Sequence, residues 1–108
     1  MNAKYLQPGN AISYLNSGSK VIQACEVVPL TTRIAVAGDT IGVGETGTLM
    51  LDGVWEMETD GSVFAVGDAV YYNAESGKVT TTSAGNCSAG IAVTAAQSTD
   101  AVVCVRIG

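Results

Sequence analysis

Gly67-Asp68-Ala69-Val70-Tyr71-Tyr72-Asn73-Ala74-Glu75-Ser76-Gly77-Lys78-Val79-Thr80-Thr81-Thr82 decides the fold. Two β-prone runs, Ala69 to Asn73 and Lys78 to Thr82, flank Ala74-Glu75-Ser76-Gly77. Short runs rich in Val, Tyr and Thr around a Gly-containing loop pair as a hairpin. Tyr71 and Tyr72 then point to opposite faces of one strand, one to the core and one to the surface. Asp68 follows a Gly and precedes a strand, a place where its carboxylate caps the turn through nearby backbone N–H groups.

The same punctuation recurs outward in both directions. Turn signals stand at Pro8-Gly9-Asn10, Asn16-Ser17-Gly18, Gly38-Asp39, Asp52-Gly53, Asp60-Gly61 and Gly85-Asn86. No segment between them holds helical periodicity for three turns. Strands are predicted at Ala11 to Asn16, Lys20 to Val28 (ended by Pro29), Thr32 to Ala37, Gly47 to Thr59, Ser88 to Ala95 and Ala101 to Ile107. The last alternates, with Val103, Val105 and Ile107 on one face and Val102, Cys104 and Arg106 on the other. Ser62 to Ala65 has room for one helical turn but is too short for a stable free helix. The expected fold is all-β, a small antiparallel β-barrel or sandwich. Residues 1–10 are polar and carry Pro8 and Gly9, so they read as an extended N-terminal arm on a single β domain spanning 11–108.

Composition narrows the function. The chain has 108 residues, five Lys and Arg, ten Asp and Glu, no His and a net charge of −5. Nucleic acid is excluded as a partner, because phosphate binding needs basic residues to replace counterions. Without His there is no Ser-His-Asp triad and no imidazole ligand. No stretch approaches the roughly 20 apolar residues of a membrane span. No apolar signal core opens the chain, so export by a signal peptide is not expected. Cys25, Cys87 and Cys104 are odd in number and widely spaced, which fits reduced thiols rather than a disulfide framework or a zinc site.

The densest charge lies in Leu51-Asp52-Gly53-Val54-Trp55-Glu56-Met57-Glu58-Thr59-Asp60. In an extended chain Glu56, Glu58 and Asp60 share a face, opposite Trp55 and Met57. Carboxylates so placed suit a solvated face or contact with a basic partner; catalysis would need burial to shift a pKa. Gly38 to Gly44 is Gly-rich but lacks the Gly-Lys-Ser/Thr and following helix of a phosphate loop.

From Gly67 to Ala96 the order of motifs resembles the small phage capsid cement proteins of the DUF2190 family. The resemblance rests on Gly67, Asp68, Tyr71, the loop ending Gly77-Lys78, the Thr80 to Thr82 run, Gly85-Asn86 and Ala89-Gly90-Ile91-Ala92. Tyr5 to Asn10, with its Gln-Pro-Gly, and the run from Gly47 to Glu56 look similar to the family as well. The resemblance implies a decoration protein on the outer surface of the virion, made in the host cytoplasm. It implies the major capsid protein as partner and a homotrimer. It implies no catalysis, no cofactor, no membrane and no small-molecule substrate. Gly67, Asp68, Tyr71, Gly77, Lys78, Gly85, Asn86 and Gly90 then act as fold determinants. Lys4, Tyr5, Leu6, Gln7 and Pro8 of the arm are the expected partner contacts, with Glu56 and Glu58. The three cysteines depart from the family pattern. The competing expectation is a small β-barrel module for a ligand or host surface, using an exposed tyrosine of the Tyr71–Tyr72 pair.

Overall fold

The computed structural model describes residues 1–108 and contains only strands, turns and loops. The strands are β1 (Ala11–Leu15), β2 (Val27–Pro29), β3 (Ile34–Ala37), β4 (Thr46–Met50), β5 (Gly53–Glu58), β6 (Ala69–Asn73), β7 (Lys78–Thr80), β8 (Cys87–Ala92) and β9 (Val102–Ile107). They form a four-stranded sheet in the order β1-β4-β3-β2 and a five-stranded sheet in the order β5-β9-β8-β6-β7. Every ladder within them is antiparallel. The sandwich alternative therefore holds over the barrel. The larger sheet curls until its edges touch at a lone Thr59–Val79 bridge, but it does not close.

The long run expected from Gly47 to Thr59 is two strands. It breaks at Leu51-Asp52, and Gly53, at φ +105, lets the chain turn out of the first sheet into the second. The expected strand from Lys20 to Val28 forms only at its end. Ile22 makes a single bridge to Ile41, and Cys25 at φ +68 interrupts the alternation. Pro29 ends β2 as expected, as its last residue paired with Ile34, which is possible because β2 is an edge. The Ser62 to Ala65 helical turn is absent. Phe64 instead exchanges backbone hydrogen bonds of 2.9 and 3.0 Å with Ala96.

Four turns share one construction that the sequence reading overlooked. An apolar bridge residue is followed four positions later by a carboxylate: Ile22 and Glu26, Ile41 and Glu45, Phe64 and Asp68, Ala96 and Asp100. In each, the backbone N–H of the acidic residue donates to a carbonyl three residues back, at 3.0–3.1 Å. In three, its carboxylate also accepts the N–H of that same earlier residue: Gln23 at 3.3 Å, Ala65 at 2.8 Å and Gln97 at 2.8 Å. These reciprocal brackets occupy the turn's polar groups and start β2, β6 and β9. The bridge residues pair in twos, Ile22 with Ile41 and Phe64 with Ala96, one pair per sheet.

β3 is buried on both faces and divides two cores. Ile34 and Val36 pack with Met57, Phe64, Val70, Val79, Val103, Val105 and Ile107 inside the curled sheet. Ala35 and Ala37 face the other way, against Val28, Ile41 and Leu49. Burying each large side chain here contributes about 1.5–3 kcal/mol. The alternation of β9 is as expected, with Val103, Val105 and Ile107 buried. Asn16 is buried beside the smaller core, donating from Nδ2 to the Lys20 and Ile41 carbonyls at 2.8 and 3.0 Å and accepting from Gly18 N–H at 3.1 Å.

Candidate functional site

The arm residues Lys4, Tyr5, Leu6, Gln7 and Pro8 are all exposed and form no strand. Tyr5 and Leu6 keep 80% and 81% of their surface open, a large apolar display for a ten-residue segment. The arm is tied at its root, where Leu51 N–H donates to the Asn10 carbonyl at 2.9 Å. Gly9 lines a cavity together with Ile107 and Gly108 at the end of β9.

In β5 the expected facing is present. Val54, Glu56 and Glu58 are exposed, Met57 is buried, and Trp55 packs half-buried against the main core. The Trp55 indole N–H donates to the Asp52 carbonyl at 3.0 Å, which fixes the ring beside the sheet crossover. Asp60 follows on the exposed side. Its Oδ1 accepts from Ser62 Oγ at 2.6 Å and Ser62 N–H at 3.0 Å, and the Ser62 hydroxyl bond chiefly holds this carboxyl below the usual range. The arm side chains and the two glutamates belong to separate elements, and no hydrogen bond joins them.

A cavity of about 400 Å³ opens where the two sheets meet. Leu30, Ile34, Leu51 and Ile107 supply apolar walls, and Asp52, Arg33 and Arg106 are at its rim. Both arginines of the chain thus reach one seam. The sequence reading missed this, because Arg33 and Arg106 are brought together only by the parallel bridge of Arg33 to Ser88 and by β9.

The motif residues from Gly67 to Gly90 shape the larger sheet. Gly67 and Asp68 belong to the bracket before β6, and Gly77 closes the β6–β7 loop onto the Asn73 carbonyl at 2.8 Å. Lys78 begins β7 opposite Asn73. Asn86 Nδ2, after Gly85, donates to the Thr82 carbonyl at 2.9 Å. Gly90, at φ +137, lies so close to β9 that a Cβ would overlap the Arg106 carbonyl oxygen and stand 3.1 Å from Ile107 Cα. Tyr71 and Tyr72 are both half-buried, so neither is the freely exposed tyrosine of the ligand-module expectation. Tyr72 packs on the main core, where burial first and the Glu26 charge second push its hydroxyl above the usual 10.0. All three cysteines are free; Cys25 is exposed, while Cys87 and Cys104 are half-buried. No group of three or more His, Cys, Asp or Glu gathers as a metal site. No helix is long and apolar enough to cross a membrane.

Two open antiparallel sheets around a divided core, with an exposed arm, define a small all-β domain. The family model of the phage cement proteins matches residues 6–107, and the chain belongs to that family. It is therefore a structural protein associated with the phage capsid, of a family that is not enzymatic. No curated protein and no solved structure matches the chain.

Proposed function

We propose that this protein binds the outside of the assembled phage head and bridges neighbouring major capsid subunits, acting as a homotrimer after synthesis in the host cytoplasm. The observation that carries the reading is the cement-family match over residues 6–107. The exposed arm supports it, since Lys4, Tyr5, Leu6, Gln7 and Pro8 extend reach beyond the compact domain. Glu56 and Glu58 add an acidic strip suited to a basic shell surface.

A shell strained by packaged DNA fails by separation of its subunits. A protein that binds only the assembled lattice stabilises that lattice by linkage, in proportion to occupancy and affinity. Three contacts on one trimer reinforce one another, because the second and third form within an already tethered complex. A trimer also matches local three-fold positions of a shell.

Purified protein mixed with expanded heads that lack it should sediment with them and raise the temperature at which they release DNA. Heads that neither bind it nor gain heat resistance would overturn the reading.

A further inference from the structure

β5 is an edge strand, and the direction of its open side can be worked out. Thr59 N–H donates to the Ala101 carbonyl at 2.9 Å, next to the Glu58–Val102 pair. Backbone groups alternate sides along a strand, so Met57, Trp55 and Gly53 also turn theirs to β9. Val54, Glu56 and Glu58 turn theirs the other way, where no strand is paired along β5. That side is taken at its end by β7, where Thr59 bridges Val79 in parallel and Asp60 N–H donates to the Val79 carbonyl at 3.1 Å, so the open stretch runs from Val54 to Glu56. Natural edges are blunted by charged side chains, Pro or a bulge. Val54 to Glu58 has no Pro and no bulge, its ladder with β9 is unbroken, and its charges are the two glutamates, which repel another acidic strand but attract a basic one.

We propose that the vacant edge of β5 receives the N-terminal arm of a second copy of this chain as an added antiparallel strand. The charges and the register choose this occupant. Pairing Leu6 with Val54 sets Lys4 opposite Glu56 on the exposed face. On the other face Tyr5 meets Trp55. Apolar, oppositely charged and aromatic pairs fall together in one register. Pro8, with no N–H to give, then ends the ladder beside Asp52. Shifting by two residues in one direction sets Leu6 against Glu56 and Pro8 against Val54. Shifting in the other sets Lys4 against Val54. Self-pairing of two β5 strands centred on Glu56 opposes like charges.

The chain's own arm does not fill this edge: residues 1–10 form no strand, and Tyr5 and Leu6 keep 80% and 81% of their surface open. The arm's exposed Tyr5 and Leu6 thus find their cover on a neighbour. This inference concerns the free protein and deepens the homotrimer reading; on the head the same arm and glutamates exchange from the neighbouring copy to the shell, so head binding and self-assembly are read out by separate assays.

The test uses the full chain, whose monomer mass is 11.0 kDa, in light scattering and hydrogen exchange over a range of concentrations. The expected result is a mass above the monomer, with Val54 and Glu56 amides exchanging about tenfold more slowly as assembly proceeds. Lys4→Glu and Glu56→Lys should each weaken assembly about fivefold, and the double variant should restore it. Leu6→Pro removes an N–H that faces β5 and should abolish assembly, whereas Gln7→Pro removes one that faces away and should not. Arm residues are exposed, so these arm substitutions leave the fold intact. A monomer at every concentration, an assembly with Val54 and Glu56 unprotected, or no rescue by the double variant would overturn the proposal.

Discussion

Replacing Gly90 with Ala is the sharpest test of the larger sheet. Two penalties act together. An L-residue held at φ +137 is strained by roughly 1–3 kcal/mol. The added methyl would also overlap the Arg106 carbonyl oxygen and lie 2.9 Å from its carbon. Those atoms belong to the backbone of β9, a strand paired on both sides, so no flexible side chain can swing away. β8 must part from β9, loosening the adjacent Ala92–Val105 pair above the main core. Overpacking of this kind costs about 1–3 kcal/mol. The sum, about 4 kcal/mol, is a large share of the roughly 5–15 kcal/mol that holds a domain folded. In a domain of this length it lowers Tm by roughly 15–25 °C. Urea unfolding followed by circular dichroism measures it. Gly67→Ala is the control: φ is +94 there, but no atom lies within 4 Å of the added methyl, so only conformational strain of about 1–2 kcal/mol remains. If Gly90→Ala unfolds at the same urea concentration as Gly67→Ala, the steric argument is wrong.

Asn16→Ala removes the bonds from Nδ2 to the Lys20 and Ile41 carbonyls and the acceptor for Gly18 N–H, and should destabilise the protein by about 1–2 kcal/mol in the same urea assay, since the Ile41 carbonyl keeps Ile22 N–H. The Tyr72 hydroxyl is raised in the folded state, so its contribution is complete below the unfolded value of 10.0 and disappears as pH climbs through the higher folded value. Thermal melts above pH 10 should therefore fall less steeply for Tyr72→Phe, and absorbance at tyrosinate wavelengths should show one late-titrating tyrosine. The Asp60 carboxyl has the opposite sign: depressed when folded, it stabilises above the unfolded value of 3.8 and loses that effect as pH falls through the lower folded value. Ser62→Ala should shrink this acid-side slope, measured as melting temperature between pH 5 and pH 2.

Where one local pattern dictated one outcome, the fold was legible in the sequence. The β6–β7 hairpin, the alternation of β9, and the opposition of Glu56 and Glu58 to Trp55 and Met57 follow from period-two chemistry alone. The failures had tertiary causes. Lys20 to Val28 alternates convincingly, yet no partner lies along most of it, and Cys25 enters the left-handed region to give its N–H to the Ala37 carbonyl at 2.8 Å. The extended backbone at Phe64 is not legible locally, because its partner Ala96 is far along the chain. The seam rimmed by Arg33 and Arg106 depends on strand order, which local pattern does not encode. The bracketed turns were different: the four-residue spacing from Ile22 to Glu26, and its three repeats, was present in the letters and only went unread.

Those brackets bear on the order in which the chain folds. Each closes between residues three positions apart, and loops so short close in well under a microsecond. The β5–β9 ladder, by contrast, joins Gly53 to Ile107, and pairing so remote in sequence is slow. A nascent chain would thus mark where β2, β6 and β9 begin before any sheet exists, leaving fewer registers to search. Asp68→Asn and Asp100→Asn would then slow refolding in stopped-flow experiments while leaving the unfolding rate nearly unchanged, the signature of contacts already made at the barrier.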